Sequence, residues 1–365
     1  MLLRLLESGQ FANVLQAEAL NLLKHQTSLA HEQAVLDCLQ NWFNKNSVCF
    51  NTSGTTGAAK TFCFTHQQIQ LSAQASIQAF GLSKQTRFLL CMQPQFVGTA
   101  MLVYRAALLG AELGVVGPSK NPLKDLPLAH GYNFVSLVPY QLNHILACPV
   151  STEKLKAFDT ILIGGAAIDP ALEQAIVKHQ LNAYHSYGMT ETLSHIALLK
   201  IGHEKAFKTL PGVKIGLTNE HCLFIETPWN QTPITTKDCA SILADGRFTI
   251  QGRLDFLINS GGIKMNPELL EQHIAQYLFS IGIQNRPFVI AWNQHAELGQ
   301  ALLLVTEHEL FAQNVFEGIC KALQISIHPY AFPKAQIALP AFPRTESGKI
   351  DRFKIIEQAQ NQLKA

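Results

Sequence analysis

Between residues 47 and 252, short apolar runs alternate with longer amphipathic stretches, and this alternation constrains the fold more than any other feature of the chain. The runs SVCFNT, TRFLLCM, AELGVVG, YNFVSLV and FDTILIG read as strands. Between them, THQQIQLSAQASIQAFGL, MLVYRAALLG and DPALEQAIVKHQ read as helices, the last with Asp169 as N-cap and Pro170 at the first helical position. Such alternation predicts an α/β domain, its sheet covered by helices on both faces. After Gly252 the rhythm changes. NPELLEQHIAQYLFS predicts a helix capped by Asn266; two strands follow, FVIAWNQ and ALLLVTE, then a helix near 309–323 and a terminal helix from about Asp351. The reading is a large domain over 1–252 and a small α+β domain over 253–365, hinged at Arg253–Asp255, where glycine and charge interrupt the apolar pattern.

Composition narrows the function classes. Nearly half of the 365 residues are apolar and the net charge is +2, so the chain is globular and has no basic field for nucleic acid. The eight cysteines form neither a CxxC pair nor a metal-ligand spacing with histidine, and they read as reduced, mostly buried thiols of a cytoplasmic protein. Arg4 and Glu7 interrupt the N-terminal apolar segment, and no 18-residue apolar run occurs, so neither export nor a membrane span is expected. A homo-oligomer is compatible with all of this.

Four stretches carry chemistry. In NTSGTTGAAKTF, the hydroxyls of Thr52, Ser53, Thr55 and Thr56, the flexible points Gly54 and Gly57, and Lys60 could cradle phosphate. The spacing fails the GxxxxGK[ST] pattern of common ATPases, and a plain polar hairpin between two strands is the alternative. In Tyr187-Gly188-Met189-Thr190-Glu191, after the strand-like LNAYHS, Glu191 can serve as an oxygen ligand for Mg²⁺ and Thr190 as a donor to phosphate; a helix start would look the same. Gly252-Arg253-Leu254-Asp255, followed by Gly261-Gly262, reads as a linker with a glycine turn, and equally as a hinge. Near the C-terminus, Lys349 follows a glycine on a predicted loop, able to swing into a site or merely to cap the last helix.

In this order and spacing the four stretches resemble the adenylate-forming superfamily of acyl-CoA synthetases, luciferase and peptide-synthetase adenylation domains, from about residue 47 to 353. The segments VGTAMLVYRA, VPYQL, LIGGAAI, YGMTETLSHIA, CLFIETP and INSGGIKMNPE resemble, more narrowly, the compact bacterial o-succinylbenzoate–CoA ligases of menaquinone biosynthesis. The resemblance implies that ATP and a small-molecule carboxylate form an acyl-adenylate, with Mg²⁺ as cofactor, and that coenzyme A then takes the acyl group. It implies roles by position. Ser53, Thr55, Thr56 and Lys60 clasp the β,γ-phosphates; Thr190 meets the α-phosphate and Glu191 holds the metal. Gly164, Gly165, Ala166, Ser186 and Tyr187 form the adenine and acyl slot, beside Gly188 and Met189. Asp238 and Arg253 hold the ribose. Lys349 bridges the α-phosphate and the attacking carboxylate, and rotation about Asp255 then presents Gly261-Gly262 to the pantetheine tunnel.

Arg105, within MLVYRA, resembles the arginine that these ligases direct at the second carboxylate of the substrate, a task suited to a guanidinium fork. A surface arginine on a helix is the alternative. Ser194 and His195 would line the same pocket, and His195 reads equally well as a packed structural histidine. Three departures stand out. Lys237 precedes Asp238 where relatives have glycine, Gln95-Phe96 stand near the place of a usual histidine, and an N-terminal portion common in relatives is expected to be missing. A ligase for another acyl or aryl carboxylate, or a non-catalytic nucleotide-binding relative, are the competing readings.

Overall fold

The computed structural model describes residues 1–13, 17–44, 47–51, 60–283, 286–344 and 350–364. Its centre is a nine-stranded sheet whose order is Lys208–Thr209, Ser194–Lys200, Ala183–Met189, Thr160–Ile163, Phe134–Leu137, Arg87–Leu90, Glu112–Val115, Leu2–Leu5, Gln10–Asn13. From Ala183–Met189 to Leu2–Leu5 every pairing is parallel, and antiparallel strands close both edges.

Strand side chains alternate between faces, and the apolar runs supply both. Phe88, Leu90, Phe134 and Leu162 join a core with Leu36, Ile69 and Tyr104 from the helices Ala30–Asn44, His66–Phe80 and Val97–Leu109. Leu89, Val135, Leu137, Ile161 and Ile163 point the other way, onto Leu142, Leu155 and Ile176 of the helices Pro139–Leu146, Pro149–Lys156 and Pro170–Lys178. Each such buried Leu, Ile or Phe contributes up to about 1.5–3 kcal/mol. The helix caps follow the expected chemistry: Asp169 accepts from the Leu172 amide at 2.8 Å, and Asn266 caps Pro267–Ser280 through the Glu268 amide at 3.0 Å.

Past the edge strands, a four-stranded antiparallel sheet runs Lys214–Leu217, Cys222–Glu226, Ile234–Ile242, Phe248–Arg253. The chain then builds a five-stranded sheet from Ile258–Ser260, Ile263–Met265, Phe288–His295, Gly299–Glu307 and Ala335–Leu339, with helices Pro267–Ser280, Gln313–Ser326 and Arg352–Lys364. Buried core residues of the first part reach no further than Phe248, and those of the second begin at Ile258. The helix expected near 309–323 lies slightly later, because Ala312 occupies its N-cap.

Ser47–Asn51 and Thr61–Thr65 pair antiparallel as a separate two-stranded ribbon, the hairpin that the sequence allowed. One cysteine assignment is corrected here. Cys49 and Cys63 stand opposite each other in this ribbon and form a disulfide, so they are not reduced thiols; the remaining six cysteines are free. Alternation explains the meeting: Val48, Phe50 and Phe64 face the core, which turns both cysteines outward on one face.

Candidate active site

The carboxyl ends of two neighbouring parallel strands define the site. Thr160–Ile163 ends in Gly164-Gly165-Ala166, beside His185-Ser186-Tyr187 of Ala183–Met189. Crevices at this edge of open α/β sheets bind ligands. The approach is tight: a Cβ on Gly164 would lie 2.6 Å from Ser186 Oγ, which donates to the Ile163 carbonyl at 3.0 Å. His185 Nε2 lies 3.2 Å from the Ala166 carbonyl; burial lowers its pKa despite that contact.

The strand Ala183–Met189 continues through Tyr187, Gly188 and Met189, which the sequence had placed after it. The reversal falls at Thr190–Leu193, and Ser194 and His195 open the returning strand Ser194–Lys200. Gly188 permits this pairing, since a Cβ there would sit 2.2 Å from the Ser194 carbonyl oxygen. Leu193 and Ser194 carry left-handed φ values of 56° and 82°. Four side chains hold that backbone. Thr192 Oγ1 accepts from the Met189 amide at 2.9 Å, Trp229 Nε1 donates to the Thr192 carbonyl at 3.0 Å, Asn230 Nδ2 to that of Glu191 at 3.0 Å, and Ser72 Oγ to that of Leu193 at 3.1 Å. None of these bonds uses the side chains of Thr190 or Glu191.

A charged chain leads away from Tyr187. Its hydroxyl donates to Asp238 Oδ2 at 2.6 Å, and Arg253 Nη1 donates to Asp238 Oδ1 at 3.1 Å. Asp238 and Arg253 are cross-strand partners, which explains why two residues far apart in sequence meet. Arg253 also forks onto Asp255, with Nε and Nη2 each 3.0 Å from a carboxylate oxygen. Burial pushes the Asp255 carboxyl up, but the Arg253 hydrogen bonds and charge, with Lys237, outweigh it and hold it below the usual range. Lys237 Nζ stands 3.5 Å from Asp255 Oδ2, so this lysine joins the same charged cluster.

Arg105 lies within the helix Val97–Leu109 and is only 1% exposed. Its Nε and Nη2 are buried with no hydrogen-bond partner among the described residues. Burial pushes its pKa down to about 9, which leaves it charged at neutral pH. His195 is buried beside it; desolvation, then the Arg105 charge, pushes the imidazole down to about 3. His195 Nε2 lies 3.1 Å from Ser76 Oγ and Nδ1 lies 3.4 Å from Ser194 Oγ. A Cβ on Gly98 would lie 3.9 Å from that same Ser194 Oγ. Gly98 and Arg105 are seven residues apart, on one face of their helix, which therefore presents its glycine to Ser194 and its cation toward His195.

Thr52, Ser53, Gly54, Thr55, Thr56, Gly57 and Lys349 lie outside the described residues. Lys60 is exposed at the start of the ribbon's second strand. Gly261-Gly262, with φ of 60° and 81°, turns Ile258–Ser260 into Ile263–Met265, a geometry that needs glycine-like freedom at both positions. No hydrogen bond or ion pair among the described residues joins that turn to the residues above. Nor does any group of three or more His, Cys, Asp or Glu among the described residues gather as a metal site. No described helix is long and apolar enough to cross a membrane. Sequence reasoning missed Ser76, Trp229 and Asn230. Each acts on a hairpin far along the chain, and no local pattern marks such a partner.

The chain is a member of the AMP-binding enzyme family: the family model, described as AMP-binding enzyme, matches residues 8–221. The fold is that of the acyl-CoA synthetases. A solved acyl-CoA synthetase (AMP-forming)/AMP-acid ligase II-like protein from Dyadobacter fermentans is 30% identical, with a TM-score of 0.61 over 95% of this chain and 98% of that one. The 2-succinylbenzoate–CoA ligase of Haemophilus influenzae is 28% identical over 312 residues, covering 79% of this chain. The chain spans 66% of that relative's length. The o-succinylbenzoate coenzyme A synthetase of Bacillus subtilis, solved in complex with ATP and magnesium ion, shares the fold at 20% identity, with a TM-score of 0.72 over 84% of this chain and 69% of that one.

Proposed function

We propose that this protein is an AMP-forming acid–thiol ligase that activates o-succinylbenzoate with ATP and passes it to coenzyme A, in menaquinone biosynthesis in the cytoplasm. The observation that carries the choice of acid is Arg105. A buried guanidinium with two unpartnered nitrogens is costly to keep, and a substrate carboxylate would repay that cost with charge-assisted hydrogen bonds. Neutral His195, oriented by Ser76, would face the same group without adding charge. The relatives named for 2-succinylbenzoate support this choice.

In the first half-reaction a carboxylate oxygen attacks the α-phosphorus, and the bond to pyrophosphate breaks. In the second, the coenzyme A thiolate attacks the acyl carbon and AMP departs. The protein's task is to align groups and offset charge. Residues 52–57 with Lys60 clasp the β,γ-phosphates, Thr190 meets the α-phosphate, and Glu191 is a metal ligand. A single carboxylate suits Mg²⁺, which would help offset the phosphate charge. Gly164–Ala166, with Ser186 to Met189, forms the slot.

Asp238 and Arg253 hold the ribose; the carboxylate already accepts from Tyr187 and Arg253 and retains lone pairs for hydroxyl donors. Lys349 serves adenylation from the small domain, residues 253–365, which turns at Arg253–Asp255 against residues 1–252 and brings Gly261-Gly262 to the coenzyme A tunnel. The separation of the two cores supports that division.

The test is ATP–pyrophosphate exchange over a panel of carboxylates, followed by thioester formation. Exchange with o-succinylbenzoate and not with benzoate or fatty acids is expected. Exchange with those acids alone would move the assignment to another acyl or aryl ligase. No exchange with any acid would leave a nucleotide-binding relative.

A further inference from the structure

The helix His66–Phe80 sets one row of side chains against the hairpin that carries the site. Gln68, Ser72, Ser76 and Phe80 follow at intervals of four, so they form a single slanting ridge. Gln68 Nε2 donates to the Trp229 carbonyl at 2.7 Å, and Ser72 Oγ to that of Leu193 at 3.1 Å. One turn on, Ser76 Oγ lies 3.1 Å from His195 Nε2, and the Phe80 ring stands edge-on to the same imidazole, with centroids 6.3 Å apart. The helix is a firm base: Thr65 and Gln68 close a capping box at its start, and Gly81, in the left-handed region, ends it. Ser76 and His195 are buried, at 1% and 5% exposure.

The two ring nitrogens differ in what they can reach. Nε2 faces the buried helix. Nδ1 faces Ser194 Oγ at a long 3.4 Å, and Ser194 is half-buried, so a ligand has its approach to the ring from the Nδ1 side. A neutral imidazole carries one proton, and burial together with the Arg105 charge keeps this ring neutral. Both neighbours are hydroxyls, which donate or accept, so they tolerate either tautomer. A carboxylate does not: it only accepts, and it requires the proton on Nδ1. Nε2 is then a buried acceptor in need of a donor, and Ser76 Oγ, which has no other hydrogen-bond partner among the described residues, stands within reach. A serine hydroxyl in a helix interior often turns back to the carbonyl four residues earlier; that of Ser76 points at the ring instead.

We propose that Ser76 is a positioning residue for the carboxylate substrate: its hydroxyl donates to His195 Nε2, holds the imidazole proton on Nδ1 and aims that N–H at the carboxylate beside Arg105. This rests on the reading of Arg105 as the partner of the substrate's second carboxylate. That group then receives the unpartnered Nε and Nη2 of Arg105 and one imidazole N–H, without a second buried cation. Ser76 touches neither acid nor nucleotide and acts through the ring.

The experiment labels the histidines of the whole protein with ¹⁵N and reads the His195 tautomer by long-range ¹H–¹⁵N correlation, with and without saturating o-succinylbenzoate. The His195 signals are assigned by their loss in His195→Gln. The expected result is the Nδ1–H form in the wild-type complex. An Nε2–H form there would overturn the proposal, and this measurement needs no Ser76 variant. In ATP–pyrophosphate exchange, Ser76→Ala should raise KM for o-succinylbenzoate about five- to tenfold with KM for ATP unchanged, and Ser76→Thr, which keeps the hydroxyl, should restore most of the affinity. An unaltered KM for the acid in a folded Ser76→Ala protein would remove Ser76 from the proposal's role. Equal rises in both KM values would do the same, since they mark a general distortion of the hairpin. Failure of the wild type to exchange with o-succinylbenzoate would instead overturn the ligase reading for that acid, and the role of Ser76 with it. Loss of exchange in Arg105→Met beside normal kinetics in Ser76→Ala would keep that reading and strike Ser76 alone.

Discussion

At the residue scale, Arg105 states the tension between stability and use most sharply. A buried cation without an anion among the described residues lowers stability, and in the proposed function the substrate carboxylate supplies that anion. Replacing Arg105 with Met, similar in reach but uncharged, should lower kcat/KM for o-succinylbenzoate by about 10- to 100-fold, the loss of one charge-assisted contact of roughly 1.5–3 kcal/mol. The KM for ATP should hold and the thermal midpoint should stay equal or rise. Steady-state kinetics and calorimetry read both, and an unchanged kcat/KM would remove Arg105 from substrate selection.

His195 offers a second reading through pH. Its folded pKa, about 3, lies below the ordinary 6.5, so between those values the unfolded chain binds the extra proton. Stability is thus complete above pH 6.5 and declines as pH falls toward 3, by a few kcal/mol at most. His195→Gln should flatten the acid side of a plot of thermal midpoint against pH, while wild type falls.

At the scale of elements, two glycines separate a requirement of backbone from one of side chain. A Cβ on Gly188 collides with the Ser194 backbone, which cannot retreat without opening the hairpin that carries Thr190 and Glu191. Gly188→Ala should cost about 3 kcal/mol or more. At Gly164 the obstacle is the Ser186 hydroxyl, which can rotate away at the loss of one hydrogen bond, about 1 kcal/mol. Comparable chemical denaturation midpoints for the two variants would contradict this distinction.

The same hairpin shows what the sequence made legible. Strands such as Phe134–Leu137 and helices such as Pro170–Lys178 announced themselves through apolar runs and an Asp-Pro start. The reversal after Met189 did not. Its position is set by Thr192, Trp229, Asn230 and Ser72, and three of these belong to other elements. The Cys49–Cys63 pairing was likewise invisible to spacing rules, because it depends on cross-strand register. Arg105 was legible as a candidate, but only burial separated it from a surface arginine.

For the whole molecule, we propose a large body and a small one joined by the charged Arg253–Asp255 segment, a division that the segregated cores support. If that segment turns between the half-reactions, Lys349→Ala should abolish adenylation and leave transfer from a preformed acyl-adenylate to coenzyme A largely intact. Single-turnover assays of each half-reaction measure this, and equal loss in both would refute the alternation.

The strand order has a further consequence, in the timing of synthesis. Leu2–Leu5 finds Gln10–Asn13 as an antiparallel partner nearby in the chain, but its other side pairs in parallel with Glu112–Val115 and has to wait until residue 115 has been made. At roughly 5–20 residues per second the wait is on the order of 5–20 s, long compared with the microseconds in which helices form. During that interval the ribbon of Leu2–Leu5 and Gln10–Asn13 presents one open side of the apolar strand, to which another chain could pair before the sheet exists to receive it.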